Sequence, residues 1–166
     1  RWAGGRVRCP CPARRKASTS PRNPAAAHGK GLWSSVICSP PLVAFVTAIA
    51  ATGVVASDSV VLVGSGMQAT GISIFLQGDG IDPNAFVFGD GITCTGGQLV
   101  RLRAVALSGG ASSFPVSPET ITLSARGGVT VGSGAVRSYT VFYRNAAGAF
   151  CPPATFNAAN SYRITW

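Results

Sequence analysis

The side chains of this 166-residue chain whose types and spacing could do chemistry are a run of oxygen donors, a set of arginines and two cysteines. Asp79, Asp82, Asn84 and Asp90 place four oxygen-bearing side chains within twelve residues, a start on a calcium shell that loop carbonyls could complete. The spacing is not that of an EF-hand, and aspartates in glycine-rich turns also serve local backbone hydrogen bonds. Arg101, Arg103, Arg144 and Arg163, with Tyr143 or Phe75 as an aromatic neighbour, could line a basic surface for an anionic glycan or acidic polymer. The plainer reading is that arginines on the outer face of strands solvate the sheet and block edge pairing. Cys94 and Cys151 are the cysteines that follow residue 56, and they span nearly 60 residues. In an oxidising compartment they are most simply a disulfide, worth roughly 4 kcal/mol in the chain-entropy model. In a reducing cytosol they would be two buried thiols.

What is missing narrows the chemistry. The single histidine, His28, and the last lysine, Lys30, lie early in the chain, so histidine triads, histidine-ligated zinc and Schiff-base chemistry have no residues beyond them. The expectation is a noncatalytic protein, with a small hydrolase using the aspartates as the catalytic alternative. The formal charge of +9 suggests a nucleic-acid binder until the charges are located. Eight of the fourteen basic residues precede residue 31 and all five acids follow residue 56, so residues 57–166 carry 6 − 5 = +1. Counterion-release binding needs clustered cations, and nucleic acid is excluded as a partner.

The elements that must position these side chains fall into three regions. Residues 1–30 read as a basic, disordered leader, and because no Met precedes Met67 they read as lying upstream of a start near Leu32 or Val36. Residues 31–56 read as a signal peptide. Its apolar run Leu42–Val55 would make a helix of roughly 21 Å, short of a lasting membrane span, with cleavage after the small residue Ala56. Residues 57–166 read as one secreted, periplasmic or cell-surface domain. Apolar and polar residues alternate there with period two. Ile72, Ile74 and Leu76 are expected inside with Ser73 and Gln77 outside, and Val100, Leu102, Ala104 and Ala106 inside with Arg101 and Arg103 outside. The same pattern runs through Ile121, Leu123 and Ala125, and through Tyr162, Ile164 and Trp166. Glycine clusters such as Gly78-Asp79-Gly80, Gly89-Asp90-Gly91, Gly96-Gly97 and Gly109-Gly110 mark turns. The predicted fold is all-β, an antiparallel β-sandwich of about 7–9 short strands with little or no helix, closed by a strand that buries Trp166.

The pieces FLQG (Phe75–Gly78), VFGDGITCTGG (Val87–Gly97), VRLR (Val100–Arg103), RSYTVFYRNA (Arg137–Ala146), FCPPATFN (Phe150–Asn157) and the closing Tyr162–Trp166 occur in a shared order. In that order the chain resembles an uncharacterised C-terminal β-rich module of secreted proteins from environmental bacteria. The resemblance implies a secreted sandwich with Cys94 and Cys151 paired, and it carries over no catalytic residue. The functional expectation is an exported module for surface attachment or recognition, with a polysaccharide or an envelope protein as partner; the alternative is a structural or sorting module of an envelope assembly. A row of exposed aromatics would favour glycan binding, an exposed apolar face would favour assembly, and carboxylates converging in a cleft would favour hydrolysis.

Overall fold

The computed structural model describes residues 33–36, 47–89, 91–145 and 155–166. In chain order these form β1 (Trp33–Val36), β2 (Ala48–Thr52), β3 (Val61–Ser65), β4 (Ile72–Phe88), β5 (Gly91–Ala106), β6 (Ser112–Phe114), the short helix α1 (Leu123–Gly127), β7 (Val136–Arg144), β8 (Phe156–Ala158) and β9 (Ser161–Thr165). The strands make two antiparallel sheets, one in the order β1-β9-β7-β4-β5 with β8 also on β7, the other β2-β3-β6. Side chains from their facing sides meet in a single core: Ile49, Leu62 and Phe114 from the smaller sheet against Phe75, Leu102, Val141 and Ile164 from the larger. Phe75 and Phe114 lie 6.2 Å apart between ring centroids, bridging the two layers. This is the expected all-β sandwich, in which each sheet turns one side inward.

Four local expectations are corrected. The first concerns the apolar run. Within its described part Ala48–Thr52 is a strand where a helix was expected, pairing antiparallel with Val61–Ser65, and the expected boundary after Ala56 falls inside the sandwich. Thr47, Ile49 and Ala51 turn inward while Ala50 and Thr52 are exposed. The period-two pattern is hidden because alanine fills outward positions, leaving an apolar run that could equally be helix. β1, also expected to be removed with the signal, pairs with β9. Residues 1–32 and 37–46 lie outside the described residues, among them the leader.

The second correction is the face of β4. Ser73, Phe75 and Gln77 are buried at 0, 0 and 3% exposure, whereas Ile72 is 56% exposed. Strand periodicity is two, so choosing the wrong parity turns every side chain to the wrong face. Phe75 decides the parity because it is the one aromatic ring of the stretch Ile72–Gln77 and packs on Phe114 of the other sheet, and the polar residues that share its face are satisfied locally. Ser73 Oγ lies 2.8 Å from Ser112 Oγ, and Gln77 Nε2 donates to Gly127 O at 2.9 Å. A register shift between Phe75 and Leu76 gives β5 a second change of parity. Phe75 faces Arg103 and Leu76 faces Arg101, so Leu102 is the extra residue of a bulge. Leu102 is buried, but Val100, Ala104 and Ala106, expected beside it, are exposed.

Third, β4 and β5 are not short: they run 17 and 16 residues, and the glycine clusters at 78–80 and 96–97 lie within them. Gly80 faces Gly96 across the hairpin, and a Cβ on Gly78 would stand 2.3 Å from Gly96 O. The paired glycines let the two strands coil together, so that the far half of the hairpin folds back over β7 and β9. There Cys94 N donates to Ser161 Oγ at 3.2 Å, and Thr95 Oγ1 lies 2.7 Å from the same oxygen. Fourth, Leu123–Gly127 is helical where a strand was expected. Thr122 Oγ1 accepts from Ala125 N as N-cap, and Gly128 ends the turn in the left-handed region.

The expected inward set at the end of the chain is borne out for Ile164 and Trp166, which are 0 and 2% exposed. Trp166 Nε1 donates to Tyr139 Oη at 2.8 Å, Tyr139 Oη donates to Gln77 Oε1 at 2.9 Å, and Gln77 continues to Gly127 O. A Cβ on Gly127 would lie 2.1 Å from Gln77 Oε1, so the relay needs glycine there. Burial drives the Tyr139 phenol above its ordinary range and raises that of Tyr162 as well. In the unfolded chain a tyrosine ionises near pH 10, so the stability these buried phenols contribute is intact below that pH and is lost as pH rises beyond it. Tyr139→Phe should cost about 1–3 kcal/mol in urea unfolding, because Trp166 Nε1 and Gln77 Oε1 lose their partner, and it should shallow the fall in stability above about pH 10. An unchanged alkaline slope would separate the relay from that fall.

Candidate functional site: the outer face of the larger sheet

The parity that buries Phe75 turns an apolar set outward. Ile72 pairs with Ala106, Ile74 with Ala104 on one side and Phe142 on the other, and Leu76 with Arg101 and Thr140. Cross-strand partners share a face, so these residues form continuous rows across β5, β4 and β7. Ile72, Ala104 and Ala106 are exposed; Ile74, Leu76 and Phe142 are half-buried. At one margin Phe142 meets Phe88 and Phe156 edge to face at 6.0 and 5.5 Å, and Phe86 packs on Phe88 at 6.4 Å. Towards β9 the face is closed, since Ser138, Thr140 and Ser161 are buried beneath the folded-back hairpin. The open portion is therefore aliphatic, bounded by phenylalanines on one side and by the β5 edge on the other.

The arginine patch does not assemble. Arg163 on β9 faces Ser138, and β7 and β4 separate it from β5, about 14 Å away at three strand spacings. Arg103 is ion-paired with Glu119, and Arg144 Nη1 donates to Thr155 Oγ1 at 3.0 Å. Arg101 is exposed on the edge strand, where a charge opposes pairing with another sheet. Tyr143 turns inward at 5% exposure, its hydroxyl 2.7 Å from Thr47 Oγ1, so it offers no surface for a sugar ring. The phenylalanines pack edge to face against one another, an arrangement that uses ring faces within the cluster instead of laying them out as a platform.

The oxygen donors are spread along the hairpin. Asp79 Oδ1 accepts from Gln98 N at 2.7 Å, and Asp82, also on β4, is engaged in an interaction of its own. Asp90 and the side chain of Asn84 lie outside the described residues, as does Cys151. Among the described residues no three His, Cys, Asp or Glu side chains gather as metal ligands, and no helix is long and apolar enough to cross a membrane. Cys94 is 1% exposed in β5.

Sequence reasoning missed the apolar outer face, and a signal for it was present. The stretch Ile72–Gln77 offers two inward sets, and only one contains an aromatic ring. Fold and face together define a class: an antiparallel β-sandwich with one aliphatic, unpaired outer face. Comparison with protein-family models, with curated proteins and with solved structures finds no match.

Proposed function

We propose that this domain is a noncatalytic, exported module that works by packing, setting the outer face of its larger sheet against an apolar surface of a neighbouring subunit in an envelope or surface assembly. The observation that carries this reading is the row Ile72, Ile74, Leu76 on the side away from the core, with Ile72 56% exposed. Aliphatic side chains aligned on one sheet face gain roughly 25 cal/mol per Å² when covered, which a solvated sheet forgoes. A polysaccharide is the weaker partner, because Tyr143 is buried and the arginines are dispersed. Export is supported by the cysteines. Cys94 is buried and is not a free thiol, and we propose Cys151 as its partner, to be checked by nonreducing peptide mapping. Cleavage after Ala56 is not part of this reading, since it would remove β2.

Ile72→Lys combined with Ile74→Lys should leave the fold intact, with a stability change of about 1 kcal/mol or less, while weakening association at least tenfold in sedimentation velocity on the whole protein. The reading is lost if the wild type and the double variant sediment alike across the concentration range and are retained equally in the envelope fraction.

A further inference from the structure

The outer side of the larger sheet has the profile of a step. It is low over β5 and β4, where Ile72, Ala104 and Ala106 are exposed, and raised over β7 and β9, where the folded-back half of the hairpin lies on Ser138 and Ser161. Ser138 Oγ donates to Gly80 O at 2.6 Å and Thr95 Oγ1 lies 2.7 Å from Ser161 Oγ, so the raised part is tied down. One packed layer sets the height of such a step at about 10 Å. The low part ends at β5, the edge strand of the sheet. Bulk is divided within it, for β4 presents Ile72 and Ile74 as a ridge, and their partners on β5, Ala106 and Ala104, form a trough beside it. Charge is divided too, with the exposed Arg101 on the low edge and Asp79 and Asp82 at the start of the raised half.

We propose that the occupant of this face is a second copy of the chain, related by a two-fold axis that runs along the strands between β4 and β5; the inference rests on the packing role proposed above and names its partner. A step fits its own copy under that rotation. The low floors meet, and each raised half passes the β5 edge of the other molecule. The same rotation lays β4 of one copy over β5 of the other, so that Ile74 enters the trough at the partner's Ala104 and Ile72 at the partner's Ala106. The reciprocal contacts form at the same time, as an isologous interface requires. Arg101 is brought to the aspartate-bearing side of the opposite raised half, so opposite charges meet across the step. A flat surface such as a bilayer fits less well, because it reaches the protruding Ile72 while Ile74 and Leu76 are half-buried. Two strands of five residues make a floor of about 10 by 17 Å, under the roughly 800 Å² per partner of a standard interface, so the pair forms and parts with concentration.

The test is sedimentation velocity of the full chain over a wide concentration range. A monomer to dimer equilibrium with no larger species is expected, because a two-fold contact closes on itself. Ala104→Leu adds apolar surface and should nevertheless weaken the dimer at least tenfold, since it fills the trough that Ile74 enters. Ala104 is exposed in the single copy, so the melting temperature should hold. Association that is unchanged or stronger in Ala104→Leu overturns the proposal, as do species that grow beyond the dimer or a wild type that stays monomeric. The wild-type species decide it even if the variant fails to fold. A monomer whose envelope retention still falls in the Ile72→Lys, Ile74→Lys variant defeats the second copy alone and leaves the face packing on a different protein.

Discussion

A chain that begins at Ser57 is expected to lose its cooperative fold. Such a chain lacks β2, and the smaller sheet is reduced to β3 and β6, a pair of strands that is marginal without a third. Ile49, 3% exposed in the full domain, leaves the core, and a loss of that kind alone costs about 2–5 kcal/mol. Two ties between layers go with it: Ile49 N donating to Asn160 Oδ1 at 2.8 Å, and Thr47 Oγ1 at 2.7 Å from the buried Tyr143 hydroxyl. The backbone edge of Val61–Ser65 is also uncovered, in a strand whose Leu62 is fully buried. Against a total stability of roughly 5–15 kcal/mol these losses are decisive. Circular dichroism and amide spectra should show a broad, noncooperative melt and collapsed dispersion for residues 57–166 beside a sharp transition for the full chain. A truncated chain with native dispersion and an unchanged melting temperature would show β2 to be dispensable and would restore cleavage after Ala56 as a compatible event. Intact-mass analysis of protein recovered from cells should correspondingly place the N-terminus before Thr47.

Trp166→Ala should lower stability by about 3–5 kcal/mol. The indole is 2% exposed, it belongs to the core shared by both sheets, and its Nε1 donates to Tyr139 at the head of the buried relay. The backbone here is held as firmly as the side chain, for Trp166 N donates to Ala135 O at 2.9 Å and Trp166 O accepts from Gly134 N at 2.5 Å. Truncation would leave a large void beside Tyr139 and strip the phenol of one partner. Trp166→Phe separates the two effects, filling most of the volume without the donor, and should cost less, with the polar part near 1 kcal/mol. Urea midpoints read by circular dichroism are the measurement, because Trp2 and Trp33 would obscure a fluorescence signal in the full chain. A midpoint shift below about 1 kcal/mol for the alanine variant would mean that the final strand does not close the core.

Much of this molecule was legible in its residues alone. Period-two alternation and glycine punctuation determined an all-β sandwich. The alternation around Ile164 marked a strand that buries Trp166, because a strand with one wet and one dry face leaves that imprint. The lack of histidine and lysine after Lys30 set limits on chemistry that no folding could lift. Tertiary structure decided what local pattern leaves degenerate. Alternation says that Ile72–Gln77 has two faces but not which is buried; Phe75 packed on Phe114 across the two sheets settled that, with Ser73 and Gln77 satisfied by hydrogen bonds beside it. An apolar run says that Ala48–Thr52 avoids water but not whether it does so as a helix; the unpaired edge of β3 made it a strand. The site followed from these choices. Once Phe75 was inside, Ile72, Ile74 and Leu76 had to be outside, since successive side chains of a strand point to opposite faces.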